Sequence, residues 1–170
     1  MHPSFLPYLQ CPKTGSPLTL HADQVDPLGR VVEGYLMTQD GLRYPIHRRV
    51  PRFVDQEFYS GSFGYEWLRW PRVQFDSENE NGPLAGHTTQ MWERITLGEH
   101  RDLVGQTLIE FGCGPGRFLD VLRRKGGRAV GIDMSVAVEA AAQNFAHDAE
   151  VLIVQGDICN PPFATGAFDG

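Results

Sequence analysis

The sequence is poor in cysteine: across 170 residues only Cys11, Cys113 and Cys159 occur, far apart and odd in number. That count argues against a disulfide framework, and reduced thiols point to a cytoplasmic protein. Long apolar runs are missing too, and the start, Met1-His2-Pro3-Ser4-Phe5, lacks the basic and apolar stretches of a secretory signal. No membrane segment is expected. Positive charge is scarce, for the formal net charge is −6, which leaves no field to hold a polyanion, so nucleic acid is not an expected partner. Two basic clusters, His47-Arg48-Arg49 with Arg52 and Arg123-Arg124-Lys125 with Arg128, read as solvated loop and helix-end charges. The six histidines are scattered, with no pair at ligand spacing near a cysteine or carboxylate. A metal site is therefore not expected.

What is present divides by texture into three stretches, 1–55, 56–104 and 105–170. The first is turn-rich: Cys11-Pro12-Lys13-Thr14-Gly15, Asp26-Pro27-Leu28-Gly29 and Asp40-Gly41 punctuate short strand-like runs such as Gly34–Met37 and Arg43–Ile46. Asp40-Gly41 predicts a hairpin turn with both positions at positive φ. A small β-rich module follows from this pattern. The second stretch holds Phe58, Tyr59, Phe63, Tyr65, Trp67, Trp70 and Phe75, with Phe63, Trp67 and Trp70 spaced to share a helical face. Residues 76–86 read as a loop, and Gln90–Ile95 as a short helix.

From 105 onward strands and helices alternate: Thr107–Phe111, helix Phe118–Lys125 stopped by Gly126-Gly127, Ala129–Asp133, a Ser135-capped helix Val136–Phe145, then Val151–Gln155. Such alternation predicts an α/β fold, a Rossmann-like parallel sheet with flanking helices, of which about three strands are present.

The first of these strands runs straight into Gly112-Cys113-Gly114-Pro115-Gly116 and then a helix. A turn this tight needs glycine for its backbone angles and for close approach of a nucleotide-type ligand. The spacing is G-x-G-x-G, and Arg117 stands where a dinucleotide fingerprint has its third glycine, which disfavours an NAD-dependent oxidoreductase. Glu110 is a carboxylate within an apolar strand, where an unpaired charge is costly and calls for a cationic partner. Asp133 ends the second strand and Asp157 follows the third, so three acids sit where ligands of open α/β sheets bind. Singly, Asp133 and Asp157 are equally readable as helix or turn caps.

Glu110–Gly116, Gly131-Ile132-Asp133-Met134-Ser135 and Gln155-Gly156-Asp157-Ile158 closely resemble the first three motifs of class I S-adenosylmethionine-dependent methyltransferases. The resemblance implies that Glu110 with Gly112, Cys113, Gly114, Pro115 and Gly116 holds the methionine portion. It gives Asp133 the ribose, Met134 one face of the adenine, and Asp157 with Ile158 its edge. The implied activity is methyl transfer to a small-molecule acceptor, with no general base assignable. Ser62–Trp67 resembles the lead-in helix of such enzymes, and Phe168-Asp169 the approach to a fourth strand. The family sheet has seven strands, so the sequence predicts a truncated domain whose exposed sheet edge and bare helix face an oligomer or a missing C-terminal half would cover. A non-catalytic cofactor-binding fragment is the alternative. The module 1–55 resembles a zinc ribbon through Leu9-Gln10-Cys11-Pro12 and Gly41–Ile46. The four metal positions would fall on Cys11, Thr14, Met37 and Asp40, of which only Cys11 is a thiolate, so no zinc is expected.

Overall fold

Turn chemistry sets the N-terminal elements, which open with a 3-10 helix at Pro3–Tyr8 that buries Phe5. The computed structural model describes residues 1–54, 63–97 and 102–170. Strands β1 (Thr19–Val25), β2 (Val31–Met37), β3 (Arg43–His47) and β4 (Val50–Pro51) form an antiparallel sheet in that order. The β2–β3 hairpin is where the sequence puts it, but its turn differs. Met37 pairs with Arg43, the Thr38 amide donates to the Leu42 carbonyl, and only Gly41 takes positive φ, at +89°. The Thr38 hydroxyl accepts the Leu42 amide at 2.9 Å, stabilising a longer loop that leaves Asp40 an ordinary backbone angle.

The middle stretch contributes α1 (Phe63–Arg69) and α2 (His87–Thr96). Phe58, Tyr59 and Ser62 lie outside the described residues, as do the side chains of Phe63 and Tyr65. The shared aromatic face is not borne out at Trp70, which follows α1 and is 55% exposed. The loop before α2 does more than connect. Both Asp76 carboxylate oxygens accept amides of the first turn, from Thr88 at 2.9 Å and Thr89 at 3.0 Å, satisfying donors that every helix start leaves free.

Strands β5 (Thr107–Phe111), β6 (Arg128–Asp133) and β7 (Val151–Gln155) pair in parallel, in that order, through helices α3 (Arg117–Arg124) and α4 (Ala137–Asn144). This is a Rossmann-like arrangement. Gly126 ends α3 with φ +87°, the left-handed stop its sequence predicts. Ser135 lies one residue outside the α4 cap, yet its hydroxyl accepts the Ala137 amide at 3.2 Å.

Period-two alternation divides the strands between two cores. Ala129, Val151 and Ile153 meet Leu119, Leu122, Val138 and Ala141 of α3 and α4. Val130, Ile132, Leu152 and Val154 meet Phe5, Leu9, Val31, Leu36 and Ile46 of the N-terminal module. Helices α3 and α4 thus cover one face of the sheet, and the N-terminal module covers the other. The edges are engaged as well. Phe53 donates its amide to the Gln155 carbonyl at 2.8 Å on β7, and Ile109 of β5 donates to the Gly170 carbonyl at 2.9 Å. Asp169 also donates to the Thr107 carbonyl at 2.9 Å, so the chain reaches the far edge of β5 as the expected fourth strand would. Among the described residues no helix is long and apolar enough to cross a membrane.

Candidate functional site

β5 has β6 on one side and residues 169–170 on the other, so the chain reverses its direction of travel across the sheet at this strand. Ligands of open α/β sheets bind beyond the carboxyl ends of the strands at that reversal. Register aligns those ends: Glu110 is opposite Gly131, and Asp133 opposite Gln155. Beyond Phe111 the Gly112 and Cys113 amides both donate to the Ile132 carbonyl, at 2.8 and 3.0 Å, which folds the loop over β6.

The loop glycines divide by role. Gly112 and Gly114 have φ of +73° and +52°, and a Cβ on either would meet nothing within 4 Å. Their backbone needs glycine, and the space above it is open to a ligand. Gly116 also has positive φ, but its Cβ would stand 2.6 Å from the Phe145 ring, so this glycine serves helix packing. Pro115 is buried and its carbonyl accepts Asn144 Nδ2 at 2.9 Å. The Cys113 side chain turns inward beneath the loop, where burial pushes its thiol pKa well up. Only its main chain faces the site.

Glu110 is the anomaly of this region. Its Oε2 is buried with no hydrogen-bond partner among the described residues, a costly state for a carboxylate. Burial pushes its pKa up to about 8; the Arg117 guanidinium and Leu119 amide offset part of that push, and Asp133 adds to it. Asp133, by contrast, is satisfied. Its Oδ2 accepts the Gly114 amide at 2.9 Å, and its Oδ1 accepts the Ser135 amide at 2.8 Å and hydroxyl at 2.7 Å. The structure therefore gives Asp133 a role in shaping the loop and starting α4. Room remains for one further donor on Oδ2, because a carboxylate oxygen takes two.

Glu110, Gly112, Gly114 and Asp133 come together at the ends of β5 and β6. Met134 is half-buried and its carbonyl accepts Gln155 Nε2 at 3.1 Å. Asp157 and Ile158 stand one strand over: Asp157 Oδ1 accepts the Cys159 amide at 2.8 Å in a turn, and Ile158 is 48% exposed. Sequence reasoning passed over Phe111, whose side chain is 52% exposed at the rim; an apolar strand residue gives no local sign that it ends a strand in the open. It also misjudged Arg52. Read as a solvated loop charge, Arg52 is 4% exposed, because the β7 edge closes over it. In the N-terminal module Cys11 is buried with Sγ 3.0 Å from the Tyr44 hydroxyl. Among the described residues no group of three or more His, Cys, Asp or Glu side chains is arranged to hold a metal.

A family model described as a methyltransferase domain matches residues 109–170, the stretch that carries this loop and all three acids. By that match, residues 109–170 are similar to a methyltransferase domain. The model is that of a class I S-adenosylmethionine-dependent methyltransferase family, and the match begins one residue before Glu110. A comparison with curated proteins gives no match. The N-terminal module, outside the matched residues, supplies one wall of the core that the matched stretch forms.

Proposed function

We propose that this chain binds S-adenosylmethionine across the carboxyl ends of β5, β6 and β7, in the service of methyl transfer to a small-molecule acceptor. The observation that carries the reading is the buried, unpartnered Oε2 of Glu110 beside the open backbone of Gly112 and Gly114. A cationic ammonium is the group such a carboxylate lacks. Asp133 has capacity for a ribose hydroxyl, Met134 would lie on one adenine face, and Asp157 with Ile158 would meet its edge. S-adenosylmethionine supplies the chemistry when bound, an activated methyl group on a sulfonium. The chain's part is to bind, to orient and to keep water from the reacting atoms.

A small acceptor suits a surface of net charge −6 better than a polyanion does. Free thiols at Cys11, Cys113 and Cys159 suit the cytoplasm. Arg117 in place of a third fingerprint glycine counts against NAD. Titration calorimetry with S-adenosylmethionine, S-adenosylhomocysteine and NAD tests the reading. The first two should bind; saturable binding of NAD with neither of them would overturn it.

A further inference from the structure

We infer that Arg52, in the N-terminal module, is a positioning residue for the adenine end of the proposed cofactor site, acting through Gln155. The inference rests on the reading above. A continuous polar path, buried at Arg52 and Gln155, supports it. Arg52 Nη1 donates to Gln155 Oε1 at 2.6 Å, and Gln155 Nε2 donates to the Met134 carbonyl at 3.1 Å. Arg52 is itself held from behind, since its Nη2 donates to Glu139 Oε1 on α4 and, at 3.4 Å, to the His47 carbonyl. Main-chain bonds reinforce the same corner: the Phe53 amide to the Gln155 carbonyl at 2.8 Å, and the Gly156 amide to the Asp133 carbonyl at 3.1 Å.

Gln155 has 3% of its surface exposed and Arg52 has 4%, so water cannot replace either partner cheaply. An amide side chain flips readily between two orientations unless its neighbours tell oxygen from nitrogen. Here a cation fixes the oxygen, which leaves the nitrogen to face Met134. The Met134 carbonyl and the turn after Gly156 are thereby set before any ligand arrives, a form of preorganisation that raises affinity without touching the ligand. The module therefore takes part in binding although none of its residues belongs to the motifs.

Three variants test this against a purely structural role: Arg52→Met, Gln155→Glu and, as a control in the module core, Leu36→Ala. Gln155→Glu keeps an acceptor for Arg52 and deletes the donor to Met134. S-adenosylhomocysteine and adenosine affinities are read by calorimetry, thermal stability by melting, and amide hydrogen exchange across 132–158 in the unliganded chain. Arg52→Met should weaken both ligands about tenfold, Gln155→Glu about fivefold, and both should speed exchange at Met134 and Gly156. Leu36→Ala should lower the melting temperature and leave affinity within about twofold of the parent. Parent-like affinity in Arg52→Met and Gln155→Glu overturns the inference alone. If Arg52→Met does not fold, Gln155→Glu decides. A parent chain that binds neither ligand sinks the cofactor reading itself, while unchanged exchange in Gln155→Glu would separately refute the polar path.

Discussion

The two halves of the molecule are built by different means. The N-terminal module fills its core with large side chains, Phe5, Leu36, Tyr44 and Ile46, and sends two buried cations across to its neighbour. Arg30 pairs with Asp26 at 2.7 Å and donates to the carbonyls of Phe145, Ala146 and Asp148 at the end of α4. Arg52 does the same at β7. The parallel sheet uses small and β-branched residues, Ala129, Val130, Val151 and Val154, and keeps polar groups for strand ends and loops. One half supplies large packing side chains and the other the open glycine backbone at the strand ends. The contrast teaches that two differently built halves share one core, because the module covers a sheet face that helices would otherwise cover.

The strongest attack on this contrast is Phe5→Ala. Phe5 is fully buried in the shared core, and its truncation should cost about 3–5 kcal/mol, much of a small domain's stability. Urea unfolding followed by two probes, one in each half, should show a single transition shifted to lower urea; two separate transitions would break the claim of a common core. Next comes Arg30→Met, which takes the guanidinium from Asp26 and from three carbonyls; the loss should be about 3 kcal/mol with cofactor affinity unchanged, read from denaturation and calorimetry together.

Asp133→Ala should affect both properties. It removes bonds to Gly114 and Ser135, so the unliganded chain should lose about 1 kcal/mol, and binding about 1.5–3 kcal/mol, or tenfold to a hundredfold. Normal affinity with a lowered melting temperature would leave Asp133 a cap only.

The smallest effect is on the pH profile. Glu110, raised to about 8 by burial, favours the folded state below pH 4.5, and that contribution is lost as pH rises toward 8. The Met1 ammonium, lowered to about 5 by burial and by Arg30 and Arg49, works oppositely over the same window, favouring folding above 8 and losing that contribution toward 5. Melting temperature should therefore vary little from pH 5 to 8 in the parent, and rise with pH in Glu110→Gln. A flat profile in the variant would contradict this.

The α/β half was largely legible in the sequence because its signals are local. Val151–Gln155 is a strand as read, Gly126 stops α3, and the glycine turn follows β5 directly. The module's role was not legible. Arg52 and Gln155 are separated by 103 positions, and nothing beside Arg52 marks it as buried. The Asp40-Gly41 turn failed for a smaller reason, a competing Thr38 hydroxyl bond that selects the longer loop. The place of Asp133 at the end of β6 was legible, but not its satisfaction by Gly114, which depends on how the loop folds over β6.

The central claim is that the Glu110 carboxyl, whose buried Oε2 has no hydrogen-bond partner among the described residues, awaits a cationic ligand. Calorimetry of S-adenosylhomocysteine at pH 7, repeated in buffers of different ionisation enthalpy, measures protons exchanged on binding. A carboxyl protonated below about 8 must ionise to receive the ligand's ammonium, so the parent should release about one proton and Glu110→Gln should release none and bind more weakly. Tight binding to the parent with no buffer dependence, or equal proton release from Glu110→Gln, would contradict the account.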